Sequence, residues 1–424
     1  GGVEATSSMG GQIMPPVMGA VAFIMAETLN IPYVDVVKAA IIPATLYFGS
    51  AFWMVHLEAG RRNLRGMSED EMPSVLRALR EGWYLVLPLA VLVYLLFAGF
   101  TPLYAGTIGL ALTMMLILGA SAVLGLPAGV LRMIFWVGLG LMAAAMIRID
   151  TAWLWYAIAA LIGVNAFVQG GRTTIWQVIE SLAEGAKTAL PVGIACALVG
   201  VIIGTMTLTG AANTFGIFIV SVGQNSLLLS LVLTMITCLI LGMGIPTIPN
   251  YIITSSIAAP ALLSLGVPLI VSHMFVFYFG ILADLTPPVA LACFAAAPIA
   301  RENGFRISLE AIKIAAAGFV IPYMAVYSPA LMLQPDGTDG GFGFALAVVY
   351  VLVKIVLSIG LWGAAIVGWV GQRLGIAMRV TAMLAAGFLL AVWPISDAIG
   401  FVLSGAVIAW LVMRHRRAVA AQAR

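Results

Sequence analysis

Charge is what this chain most conspicuously lacks. Asp, Glu, Lys and Arg together make up 9% of its 424 residues, where a soluble domain carries about 25%. Hydrophobic residues make up 62% and the mean hydropathy is +1.11, so the chain is read as an integral membrane protein. The net charge of +3 means little here, because the placement of Lys and Arg matters more, and no nucleic-acid partner is expected. Cysteine is scarce as well. Cys196, Cys238 and Cys293 lie in apolar runs without metal-ligand spacing, which predicts buried, inert thiols. The three histidines, His56, His273 and His415, are far apart in sequence, which disfavours a zinc or Ser–His hydrolytic site. An aspartyl protease needs two carboxylates at membrane depth, and only Asp284 qualifies. No GxxxxGK[ST] phosphate loop is present, so primary active transport is disfavoured. Gly1 is not Met and no basic n-region follows, which predicts the C-terminal part of a longer polypeptide.

Two Pro-Pro pairs interrupt stretches apolar enough to cross a membrane, GGQIMPPVMGAVAFIMAE at 10–27 and LADLTPPVALACFAAA at 282–297. Proline lacks the N–H of the helical ladder and pushes the preceding residue out of the α region. Each pair therefore predicts two half-helices in place of one span. Bare backbone in lipid costs several kcal/mol, so such breaks persist only inside protein or beside a water-filled cavity. The two contexts also match, Gln12-Ile13-Met14-Pro15-Pro16-Val17 against Asp284-Leu285-Thr286-Pro287-Pro288-Val289. A repeated broken helix points to a secondary transporter.

Intact spans are predicted at 36–57, 83–100, 105–124, 130–147, 152–169, 190–209, 313–333, 342–368, 376–393 and 397–413, with broken ones at 11–29 and 268–299. Residues 212–223 are too short and are expected at the interface. Segment 226–265 has two short apolar arms around GMGIPTIPN, which predicts a re-entrant hairpin. Arg61, Arg62, Arg65, Arg77 and Arg80 crowd the 58–82 loop. Arg172 and Lys187 mark the next long loop, Arg301 and Arg306 another, and Arg414, Arg416 and Arg417 the tail. The loops 30–35, 101–104, 210–225 and 334–341 carry no Lys or Arg. Basic loops in the cytoplasm give an alternating path with one exception, Arg148. The two Pro-Pro motifs then run antiparallel, as inverted repeats require. The fold class expected is an all-α polytopic membrane protein with inverted repeats, discontinuous helices and a re-entrant hairpin.

A helix that stops in mid-membrane leaves carbonyls that suit a cation and N–H groups that suit an anion. Proline fits the first position of a half-helix, so Pro15-Pro16 and Pro287-Pro288 are expected to open the second halves. Gly10, Gly11, Gly242, Gly244, Thr247, Asp284 and Thr286 are the candidate ligands of a sodium-sized ion. Gln12, Pro15, Pro16, Asn250, Pro287 and Pro288 are the candidate substrate-binding residues. Asp284 reads equally as a functional intramembrane acid or as a cap on the broken end. Lys38, Lys354 and Asp397 are expected to snorkel from span ends. His273 is expected to be a structural hydrogen-bonder, with Ser255 and Ser256 bonding the preceding turn.

These motifs, together with LGMGIPTIPNYI, HMFVFYFGILADLTPPVALACFAAAPIA and GFVIPYMAVYSPALML, closely resemble the large membrane subunit of tripartite ATP-independent periplasmic (TRAP) transporters. The resemblance is greatest to the fused-permease branch that works with TAXI-type binding proteins, and it covers roughly residues 1–334. It implies an elevator-type carrier in the bacterial inner membrane, and the charge bias puts the C-terminus in the cytoplasm. It implies coupling to a cation, usually Na+, with a proton as the alternative. It further implies import of organic acids delivered by a periplasmic TAXI-type solute-binding protein. A small four-helix membrane subunit and a first hairpin are expected upstream of Gly1. Residues 1–334 are thus read as the transport core and 335–424 as a three-helix membrane extension. An intramembrane hydrolase is the alternative from another class.

Overall fold

The computed structural model describes the chain except for residues 17, 65, 67, 69–71, 73, 126–128, 151, 224–225, 317, 335–341, 392–394 and 423–424. Almost everything described is helical. In chain order the helices are α1 (Gly2–Gly11), α2 (Val21–Leu29), α3 (Tyr33–Arg61), α4 (Val75–Gly82), α5 (Leu87–Phe97), α6 (Pro102–Leu124), α7 (Val130–Ile149), α8 (Ala152–Asn165), α9 (Gly171–Leu208) and α10 (Ala211–Gly223). There follow α11 (Leu227–Leu241), α12 (Thr247–Ser264), α13 (Leu269–Leu282), α14 (Leu291–Ala300), α15 (Gly304–Ala315), α16 (Val320–Tyr327), α17 (Phe342–Val367), α18 (Ile376–Leu390) and α19 (Ser396–Gln422). Among the described residues the only β pairing is an isolated bridge between Trp369 and Arg373. Six stretches are long and apolar enough to cross a membrane: α3, α6, α9, α15 with α16, α17 and α19. The chain is an all-α polytopic membrane protein.

Two compact units divide the chain. One comprises Pro32–Val34 and Met67–Ile194. Apart from the short amphipathic helix α4 and the polar first half of α9, its helices are apolar. Thr101 caps α6 by accepting the Tyr104 N–H at 3.4 Å, and Pro102 takes the first helical position, where no N–H is needed. The buried Asn165 amide donates to the carbonyls of Leu118 (2.9 Å) and Leu161 (2.8 Å), tying α8 to α6.

The other unit comprises Gly1–Ile31, Asp35–Gly66 and Ala195–Arg424, and it holds every break. At its centre lies α13, whose residues from Ile270 to Leu282 are all buried. Phe275, Phe279 and Tyr323 pack edge to face there, with ring centroids 4.8–5.6 Å apart, the arrangement that ring quadrupoles favour. The first half-helix, α1, is held by α3 and α15. Tyr47 donates its hydroxyl to the Thr6 carbonyl at 3.1 Å, and Thr6 donates its own to the Ala311 carbonyl at 3.3 Å. Helices α17–α19 close on one another around Ala382, Ala385, Ala386 and Leu389.

Several expectations need correcting. The first broken helix begins at Gly2, not at residue 11, because the polar run GVEATSSMGG is helical. The region 170–189, expected to be a loop, forms the first half of α9. That helix continues through Pro191 for 38 residues, about 57 Å at 1.5 Å per residue. Part of the 58–82 loop is the amphipathic helix α4. The span 313–333 is discontinuous, since α15 ends at Ala315 and α16 starts at Val320. A methyl group at Gly318 in that gap would come within 2.7 Å of the Tyr47 ring. Lys354 does not snorkel. It is buried and pairs with Asp397 at 2.7 Å, which also accepts the Tyr350 hydroxyl at 2.5 Å. A lysine in apolar surroundings needs such a partner. The expected outer loop 334–341 lies outside the described residues apart from Gln334, as does Arg65.

Candidate functional site

Three irregular segments of the broken-helix unit form the candidate site. They are the first break (12–20), the hairpin tip (242–246) and the second break (283–290). Each arises from its own sequence. In both Pro-Pro segments the bond between the prolines is cis. The prolines do not open the second half-helices, as had been expected. Those halves start at Val21 and Leu291. Met18 (φ 49°) and Ala290 (φ 39°) take left-handed backbone just before them, a conformation no α-helix includes. At the tip, Gly244 has φ 74°, which glycine adopts without steric cost. Pro246 then caps α12, and Thr247 is its first residue.

The tip and the first break meet directly. Thr247 donates its hydroxyl to Gln12 Oε1 at 2.7 Å. The tip's helix and the second broken helix meet through Asn250, which is buried and donates its amide to the Gly280 carbonyl at 2.8 Å. This contact tolerates no side chain on either flank. A methyl group at Gly280 would lie 2.7 Å from Asn250 Oδ1, and one at Gly242 would lie 2.8 Å from Asn250 Nδ2. A second bridge links the same two helices, Tyr251 Oη to His273 Nδ1 at 2.8 Å. Sequence reasoning placed His273 as a structural hydrogen-bonder, and it is one. Ser255 and Ser256 bond the Ile252 carbonyl at 3.3 and 2.6 Å, also as expected.

At the second break Thr286 donates its hydroxyl to the Ala283 carbonyl at 3.1 Å. The Asp284 carbonyl accepts the Ala292 N–H at 3.2 Å, closing the loop back on α14. The Asp284 side chain is buried. Its Oδ1, like Asn250 Oδ1, has no hydrogen-bond partner among the described residues. A buried polar atom left without a partner costs about 1–3 kcal/mol, so both oxygens are poised to take one. Pro287 is half-buried and Pro288 exposed. At the first break Pro15 and Pro16 are half-buried, Gly11 is exposed and Gly10 is buried. The Gly10 carbonyl already accepts the N–H groups of Ile13 and Met14. Gly10 also lies against Tyr47 and Phe48 so closely that a methyl there would come within 2.7 Å of the Tyr47 ring.

The structure thus brings Gln12, Gly242, Thr247 and Asn250 together. No hydrogen bond among the described residues joins Asp284 or Thr286 to Thr247 or Gln12. Gly280 and Tyr47 were missed by sequence reasoning. Gly280 carried a signal in retrospect, being a glycine four residues before an intramembrane acid within an otherwise bulky apolar helix. No group of three or more His, Cys, Asp or Glu occurs among the described residues. The oxygens on offer are carbonyls, hydroxyls, amides and one carboxylate, the donors that suit a hard cation. A groove of about 510 Å³ between α10 and α12 is lined by Asn213, Gly216, Ser256 and Pro260 among others, and includes no residue of the breaks or the tip.

Comparison with known proteins agrees with the architecture. No curated protein and no solved structure matches the chain. The family profile described as tripartite ATP-independent periplasmic transporter, DctM component, matches residues 1–126 and 126–335. Helices α17–α19 lie beyond it. The match covers well over half of the chain, and the chain belongs to the DctM family, the large membrane permease component of TRAP secondary transporters.

Proposed function

We propose that this permease uses a sodium gradient to import organic acids delivered by a periplasmic TAXI-type solute-binding protein. One observation carries the reading: the hairpin tip and both broken helices are fastened together, through Thr247–Gln12 and Asn250–Gly280. Buried oxygens of Asp284 and Asn250 have no hydrogen-bond partner among the described residues. A monovalent cation held by carbonyls, Thr247, Thr286 and Asp284 would satisfy the Asp284 oxygen. It would also place positive charge beside the site of an incoming carboxylate. Transport sites in broken helices combine unwound carbonyls for the ion with half-helix N-termini for the anion.

The hairpin α11–α12 has arms of 15 and 18 residues, roughly 22 and 27 Å long against a hydrocarbon core of about 30 Å. This supports re-entry rather than two crossings, with the hairpin acting as an outer gate. Asn250 and Tyr251 bind it to α13, so hairpin and broken helix would move as one body against a static frame supplied partly by 83–169. The charge bias supports an inner-membrane orientation with the C-terminus in the cytoplasm. A small four-helix subunit fused ahead of Gly1 would complete the assembly. Residues 1–334 would form the transport core and 335–424 an added three-helix bundle, in keeping with the close packing of α17–α19 on one another.

Coupling to protons is the second reading, favoured by the buried Asp284 carboxylate with a partnerless oxygen. Uptake by the full-length transporter in liposomes, with its binding protein, distinguishes the two. Uptake driven by an inward sodium gradient at equal pH is the expected result. Uptake driven only by a pH gradient would transfer the role to the proton. Uptake indifferent to both gradients would overturn ion coupling altogether.

A further inference from the structure

The basic segment between α3 and α5 contains a device that the transport reading does not use. Helix α4 is capped by Ser74, which accepts the Arg77 N–H at 3.3 Å. Its residues segregate sharply at helical spacing. Val75, Leu79 and Leu76, with Trp83 one turn on, fall on one face, and Arg77 and Arg80 fall on the other. Among the described residues the apolar face is exposed. Val75 is 74% exposed, Leu76 78%, Leu79 57% and Trp83 60%. In water such a face would be a liability. Helix α4 does not end in water, however. It passes through a single 3-10 turn, Trp83–Val86, directly into the apolar helix α5. Trp83 and Tyr84 therefore stand at the junction of a charged helix and a membrane segment, where amphipathic aromatic rings collect.

From the apolar face, the two arginines opposite it, the aromatic junction and the continuity with α5, we infer that α4 is an interfacial anchor. Its apolar side chains sink into the bilayer surface, its arginine face lies against anionic phospholipid headgroups, and Arg80 binds them. A short helix with Leu and Trp on one face and arginine on the other is suited to the plane of the interface. Guanidinium groups hold phosphate by paired N–H donors. The anchor would fix the unbroken-helix unit, to which α4 belongs, in the bilayer surface. Transport would then depend on the anionic lipid content of the membrane.

The test uses the full-length transporter on a background with Cys196, Cys238 and Cys293 replaced by alanine. A bimane label is placed at Leu79→Cys, with Val75→Cys as a second site. The protein is reconstituted in phosphatidylcholine bilayers containing phosphatidylglycerol, and acyl-chain bromine is carried by one lipid or the other. Quenching by both lipids, with phosphatidylglycerol preferred, is the expected result, since one cation near an anionic surface favours it by roughly fivefold. The preference should collapse in Arg77→Gln/Arg80→Gln and survive in Arg77→Lys/Arg80→Lys. Screening by about 1 M salt, where the Debye length falls to about 3 Å, should abolish it without mutation. Quenching by aqueous iodide and not by lipid would overturn the anchor. So would equal quenching by the two lipids in the arginine protein. Protection from lipid and iodide alike would assign the face to a protein partner and overturn it too.

Discussion

Thr247, the first residue of α12, donates its hydroxyl to Gln12 Oε1 at 2.7 Å, across 235 positions of sequence. This bond is the direct tie between the hairpin tip and the first broken helix. Replacing the hydroxyl by a methyl in Thr247→Val keeps the shape and removes the donor. A lost hydrogen bond of this kind costs about 0.5–1.5 kcal/mol. If the same oxygen also meets the cation, the sodium concentration for half-maximal uptake rises roughly three- to tenfold. Sodium titration of uptake in liposomes measures it. A lowered melting temperature with an unchanged sodium curve would make Thr247 a fastener only.

Asp284 allows a sharper separation. Asp284→Asn removes the charge and retains an oxygen, so folding is expected to hold or improve, because an unpaired buried charge is costly. Sodium-driven uptake should fall at least about tenfold, the equivalent of about 1.4 kcal/mol. Thr286→Val, which loses the bond to the Ala283 carbonyl, should raise the sodium requirement more mildly. If Asp284→Asn keeps the sodium dependence and loses only the response to pH, the driving ion is the proton.

The gate makes its own prediction. Ile245 lies in the tip between Gly244 and Pro246. A cysteine at Ile245 should react with an external thiol reagent more slowly when substrate and sodium are both present, because closure buries the tip. Measured by the rate of labelling in intact vesicles, a rate indifferent to both ligands would make the hairpin a static loop.

Topology can be checked without transport. Cysteines at Ser68 and at Gly337, the latter in the loop that charge bias puts outside, should label from opposite faces of the membrane. Labelling from the same face would remove the antiparallel relation of the two Pro-Pro motifs, and with it the inverted-repeat argument.

The sequence made the breaks legible because proline and glycine act locally. Pro15-Pro16, Pro287-Pro288 and the Gly-Pro tip each concentrate helix-breaking residues in a few positions, whereas the single Pro191 is carried within α9. Pairings were not legible, since they depend on which helices lie side by side. Nothing near Asn250 in sequence announces Gly280, thirty residues on, and nothing near Thr247 announces Gln12. The half-helix starts were misplaced for another reason. Proline at the first helical position is a preference, and the left-handed residues Met18 and Ala290 delay the helix past it. Helix α1 was missed because it buries only the face carrying Ala5, Thr6, Met9 and Gly10 and so needs no apolar run, and Thr6 finds its partner in α15. The charged first half of α9 was mistaken for a loop because hydropathy measures the solvent of a helix and not its existence.

Asn250 is clasped between Gly242 and Gly280 with no space for a methyl group on either side. Gly280 and Asn250 are therefore defined by each other, and Gly242 by both of them together with the Cys238 carbonyl. A scan that alters one position at a time would score all three as indispensable, although the chemistry at issue is a single amide meeting a single carbonyl. Enlarging Gly280 becomes permissible only when residue 250 shrinks in the same step, whereas Gly242 is held small by the Cys238 and Gly280 carbonyls as well, so the route from this hairpin to a differently cut one passes through simultaneous change. Variation here should come as coordinated sets, and a graded series of intermediates should be missing.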